Sequence, residues 1–131
     1  MSDYVKERVI RYPIDTDLLV KYGCEDSYDL EKVFRKADES FGTWDKDKNK
    51  FEIFGTDSAE YIDYVLDYSY GECAGDFGFA RTLSEKQIEK YKPMFEKFIP
   101  ELDVSKLRDV IFCYYNGCDC PDYYDLEEED E

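Results

Sequence analysis

No histidine occurs among the 131 residues, and that absence removes a large part of enzyme chemistry. Ser-His-Asp and Cys-His nucleophile sites, histidine metal ligands and a histidine general base are all excluded. Lysine and arginine are missing in a more particular way: residues 51–80 and 118–131 contain neither. The first block holds seven acidic residues and the second eight, so these two segments supply 15 of the net 16 negative charges. An ordinary solvated surface mixes both signs, whereas these blocks carry one. With 17 basic residues against 33 acidic ones, direct binding to DNA, RNA or an anionic membrane is disfavoured by repulsion. Neither a GxxxxGK phosphate loop nor a GxGxxG turn is present. No window approaches the ~18 apolar residues of a membrane span. Residues 1–8 show no apolar run behind a basic start, so a cytoplasmic location is expected.

What the chain does contain is a core. Apolar residues make up 43% and aromatic residues 18%, with 13 Tyr and 9 Phe, a composition at odds with disorder. The length suits one domain. Residues 5–14 read as a strand closed by Pro13, and Asp15 as the cap of a short turn that Gly23 stops. Residues 28–40 form an amphipathic helix carrying Leu30, Val33, Phe34 and Ala37, capped by Asp26 or Ser27. Residues 41–55 read as a hairpin with strands at Phe41–Trp44 and Phe51–Phe54. Residues 76–83 read as a strand, and Ser84-Glu85-Lys86-Gln87 as a capping box for a helix that Pro93 should kink or restart. The apolar run 108–115 predicts a central strand. The expected fold is α+β: a single compact domain over 1–121 with an antiparallel or mixed sheet of about four or five strands and about three helices, followed by an acidic mobile tail at 122–131.

Several patterns carry little chemistry. Asp45-Lys46-Asp47-Lys48-Asn49 begins like a calcium loop, but Lys50 stands where the turn needs Gly and Thr56 where a bidentate Glu should be. A polar turn is the better reading. The five cysteines are odd in number and irregular in spacing, which favours reduced thiols over a disulfide framework. Cys113, Cys118 and Cys120 are the alternative metal-ligand set; the main reading puts Cys113 in the core and the other two in a loop, with no cofactor. Phe77 and Phe79 are core or a partner-facing aromatic pair. A carboxylate-only enzyme ranks last, and the chain is read as non-enzymatic.

The strongest constellation lies in the first base-free block. Asp57-Ser58-Ala59-Glu60 reads as a capping signature opening a helix of about 57–69. On it Asp57, Glu60, Asp63 or Tyr64, and Asp67 would form one acidic stripe, with carboxylates about 4.5–6 Å apart along the axis. That approaches the roughly 6–7 Å between phosphates along one nucleic-acid strand. Such a stripe fits an Arg- and Lys-lined channel. Tyr64 and Tyr68 add rings that stack on guanidinium groups. Glu72, Asp76, Asp122, Tyr123, Tyr124 and Asp125 extend the candidate partner-binding surface. On this reading Glu60→Lys with Asp63→Lys should abolish binding and leave the fold intact.

In size, net charge and Tyr/Asp/Glu richness the chain resembles the small acidic anti-CRISPR and anti-restriction inhibitors of phages and mobile elements, which mimic nucleic acid. The resemblance rests on composition and covers no motif. It implies a competitive mechanism in the host cytosol: a basic nucleic-acid-binding protein or nuclease complex is held by its cationic groove, without catalysis. The alternatives are an immunity or antitoxin-like protein that neutralises a basic toxin, and a metal-binding or thiol-active protein centred on the cysteines.

Overall fold

Residues Tyr4–Ile14 form β1, an eleven-residue strand from which the rest of the sheet is built. A computed structural model of the protein describes residues 4–42, 48–55, 59–71, 77–115 and 127–129. After β1 come α1 (Thr16–Lys21), α2 (Ser27–Ala37), β2 (Phe51–Gly55), β3 (Glu60–Gly71), β4 (Phe77–Thr82), α3 (Glu85–Glu96), a 3-10 turn (Val104–Lys106), β5 (Arg108–Tyr115) and β6 (Glu127–Glu129). The strand order is β2-β3-β1-β5-β4-β6. The first five strands pair antiparallel, and β6 runs parallel to β4. The molecule is therefore α+β, with one sheet and three α-helices among the described residues.

Local chemistry accounts for most of these elements. Asp15 accepts from the Leu18 amide at 2.9 Å and starts α1, which ends before Gly23 at a φ of 67°, a conformation glycine adopts without cost. Asp26 accepts from Asp29 N–H at 3.0 Å and starts α2. Ser84 and Gln87 form the reciprocal capping box of α3. Pro93 does not restart that helix; it lies inside Glu85–Glu96. Pro93 and Glu89 are both exposed, so water can satisfy the carbonyl that lacks an amide partner. Pro13 is tolerated in β1 because the pairing with β5 ends at Arg11, two residues earlier.

Three expectations are corrected. The segment 57–69 is not a helix: from Glu60 onward it is the twelve-residue strand β3. Six of those twelve residues are Tyr, Ile or Val, side chains that fit a pleated buried surface better than a helix. The hairpin over 41–55 is also incomplete. Phe41 sits in a turn, fully buried, Gly42 N–H donates to Phe51 O at 2.9 Å, and β2 pairs with β3 instead. The other residues of the expected first arm, and the start of the calcium-like segment, lie outside the described residues. Finally, the expected mobile tail at 122–131 contributes β6 to the sheet edge, while its remaining residues lie outside the described set.

The two sheet faces have different cores. On one, Ile10, Tyr12, Phe51, Ile62 and Tyr64 pack against Leu30 and Phe34 of α2 and Tyr91, Phe95 and Phe98 beyond. On the other, Val9, Phe54, Val65, Ala80, Val110 and Phe112 meet one another with no helix among them. The Phe54 and Phe112 rings are 5.0 Å apart, although β3 and β1 separate their strands. In a flat sheet that separation would be roughly 14 Å. The sheet therefore coils, and its second face is concave.

Candidate functional site

Asp63 was expected on an exposed acidic stripe; it is instead fully buried on the concave face. Its two oxygens accept from Arg11 Nε at 2.7 Å and Nη2 at 2.8 Å. Arg11 is 3% exposed, and its guanidinium carbon lies 4.2 Å from the Tyr61 ring centroid and 5.0 Å from that of Phe112. The register aligns Arg11 of β1 with Asp63 of β3, so β-sheet pairing places the two charges together. A carboxylate bound in this way cannot meet a partner. Its geometry is that of a bidentate buried ion pair.

The other candidate residues separate along β3. Glu60 is half-buried and accepts from Ser27 Oγ at 2.6 Å, tying β3 to α2. Tyr64 is in the helix-side core and donates to Asn49 Oδ1 at 3.3 Å. Between Arg8 and Val9 the β1–β3 register slips, leaving Leu66 as the extra residue of a bulge. Beyond it Asp67 reaches the surface, 60% exposed, with Lys48 Nζ at 3.3 Å. Tyr68 packs partly against the concave-face cluster. Asp57, Glu72, Asp76, Asp122, Tyr123, Tyr124 and Asp125 lie outside the described residues.

Connectivity nevertheless starts two base-free stretches, 72–76 and the chain after β5, from one end of the sheet. Tyr4 is paired with both Gly71 and Tyr115, and Phe77 with Cys113. The chain thus leaves β3 and β5, and joins β1 and β4, at that same end. Segments 72–76 and 116–126 both begin there, and they contain Glu72, Asp76, Asp119, Asp122 and Asp125. Asp67, four residues before the end of β3, is the exposed acid nearest to it on that strand.

The cysteines are also corrected. Cys113 is fully buried as expected, but it is disulfide-bonded rather than a reduced thiol, so it supplies no thiolate to a metal site with Cys118 and Cys120. Those two lie outside the described residues. Cys24 is a free thiol, and burial, with Asp29 and Asp26 nearby, pushes its pKa up, away from thiolate reactivity. Among the described residues no group of three Cys, Asp or Glu could hold a metal ion. No helix among them is long and apolar enough to cross a membrane.

Several carboxylates fasten the fold and make it acid-sensitive. Hydrogen bonds from the Ser40 hydroxyl and amide, with Lys97, hold Asp38 at about 2 against an ordinary 3.8. The Leu18 amide lowers Asp15. For Asp109 burial opposes ionisation, but the hydrogen bonds from Arg8 and Gln87 outweigh it and the pKa is lowered. A depressed folded pKa contributes stability that is present above the unfolded value and lost as pH falls through the folded one. The thermal midpoint should therefore be level above about pH 5 and fall between about pH 4 and 2. A calorimetric series across that range checks it; a midpoint level down to pH 2 would remove these contacts from the stability of the fold.

One pair of residues was missed. Arg8 and Arg81, which face the cavity described below, gave no motif because they lie on different strands, far apart in sequence. Phe79 was flagged as core or partner-facing, and it is 49% exposed. Comparison of the chain with protein-family models, with curated proteins and with solved structures finds no match.

Proposed function

We propose that this chain is a non-enzymatic inhibitor of a basic nucleic-acid-binding protein, a nuclease or CRISPR-type effector, acting in the cytoplasm. It works by occupying the partner's cationic groove and blocking access of nucleic acid. The observation that supports this reading is that the chain leaves both β3 and β5 at the Gly71–Tyr115 end of the sheet, so that the acid-rich stretches 72–76 and 118–126 start there. A net excess of acid at that end steers a basic partner into encounter and pairs with its guanidinium groups. The acidic surface is redrawn accordingly: Asp67, Glu72, Asp76, Asp122 and Asp125 with Tyr123 and Tyr124 remain in it, while Asp63 and Tyr64 leave it.

The test is affinity capture from bacterial lysate at low and high salt, with bound proteins identified by mass spectrometry. Recovery of a nuclease or nucleic-acid-binding complex is expected, lost when salt is raised or nucleic acid is added. Asp67→Lys with Glu72→Lys and Asp76→Lys should weaken that capture by about a hundredfold, since like charges set against each other cost several kcal/mol. A salt-resistant partner without a basic groove, or capture unchanged by the triple reversal, would overturn the reading.

A further inference from the structure

One cavity runs against the charge of the chain. Next to the first turn of α3, about 380 Å³ of open space is lined by Arg8, Phe79, Arg81, Asp109 and Ile111: two arginines against one aspartate, in a protein of net charge -16. Arg8 donates to Asp109 through Nε at 3.1 Å and Nη2 at 2.8 Å, and Gln87 Nε2 donates to the same carboxylate at 2.9 Å. Asp109 is 6% exposed and Arg8 47%. The guanidinium is thus anchored on one side and open on the other. Phe79, two residues before Arg81 on the same strand face, contributes an exposed ring.

The outer edge of β4 beside this cavity is where β6 pairs. Phe79 aligns with Glu127, Ala80 with Glu128 and Arg81 with Glu129. Three residues in parallel register supply few backbone hydrogen bonds, in the less stable of the two pairing modes. Backbone pairing alone does not explain why the chain closes this edge with this segment. All three residues of β6 are glutamate, and they pair with the strand that carries Arg81.

We propose that the β4 edge and its cavity form a docking site for an acidic extended peptide, the edge being paired in this structure by the chain's own Glu127–Glu129. The arginines select the carboxylates, the β4 backbone takes the strand, and Phe79 with Ile111 packs an apolar or aromatic side chain of the incoming peptide. This is strand addition to a sheet edge. The site opens to an acidic strand in trans once the tail is drawn away. At physiological ionic strength the Debye length is about 8 Å, so the arginines that line the cavity act on the incoming carboxylates at short range. The assignment stands whether or not the acidic end of the sheet captures a basic protein.

The test uses the full chain carrying Glu127→Ser, Glu128→Pro and Glu129→Ser, a tail that has lost its charge and its ability to pair there. The probe is a fluorescein-labelled peptide with the sequence of residues 122–131, titrated at 0.15 M salt, roughly physiological, and read by anisotropy. The altered chain should bind it at least tenfold more tightly than the wild type, whose β4 edge is already paired. Adding Arg81→Glu should return the affinity to the wild-type level or below. Amide protection of β1 and β5 should be the same in all three proteins, showing an intact sheet. An altered chain that binds no better than the wild type, or that is indifferent to Arg81→Glu, would overturn the proposal.

Discussion

Replacing Asp63 by alanine should destabilise the protein by about 3–5 kcal/mol, because it leaves the Arg11 guanidinium buried and uncompensated. The pair is buried on both sides, at 3% and 0% exposure, so water cannot replace the lost carboxylate without opening the sheet. Arg11→Met with Asp63→Leu should recover most of the loss, since exchanging a whole buried ion pair for apolar side chains of similar volume is often neutral or stabilising. Urea unfolding of the two proteins beside the wild type decides the matter: the single variant should move the midpoint far down and the double one little. A single variant as stable as the wild type would mean that the pair is not closed to solvent. The same geometry reverses the expectation for Glu60→Lys with Asp63→Lys. A lysine at 63 would face Arg11 inside the sheet, so that protein should unfold, and its failure to bind would say nothing about a partner surface.

Asp63 also shows where the sequence was legible and where it was not. Helices α2 and α3 could be read because their caps and their apolar spacing are local: Asp26 and Ser84 bond to amides three residues on. Strand β5 could be read because it is one apolar run. In β3 two periods overlapped. Glu60, Asp63 and Asp67 stand at helical spacing, while Tyr61, Ile62, Tyr64 and Val65 suit a strand with both faces buried, which shows no polar alternation. The bulge at Leu66 breaks what alternation there is. The decisive fact, an arginine on β1 opposite Asp63, is a pairing across 52 residues, and no local pattern encodes it. The same holds for the cavity at Arg8 and Arg81. What composition did disclose is the one-signed charge of two segments; only the strand pairing showed that the acidic stretches after β3 and after β5 start from the same end of the sheet.

Phe51→Ala should be comparably damaging, by about 3–5 kcal/mol, through a different mechanism. Phe51 begins β2 and is 8% exposed. Its ring centroid lies 4.8 Å from Tyr64, 5.0 Å from Phe95 and 4.9 Å from Phe98, so one side chain joins an outer strand of the sheet to the end of α3. Truncation would remove apolar area and also leave a cavity between three rings that are held by separate elements and cannot all move in. Phe51→Leu keeps most of the volume and should cost less than half as much. Phe79→Ala, at 49% exposure, should fall within about 0.5 kcal/mol of the wild type, as surface changes do. Guanidinium unfolding of the three variants tests the ranking. Because Phe51 lies on the helix side and away from both the acidic end and the Arg8 cavity, the Phe51→Leu protein should keep wild-type affinity for either ligand. A loss of binding without a loss of fold at Phe51 would show that the helix-side core and the binding surfaces are coupled, and would place the function deeper in the sheet than its charged end.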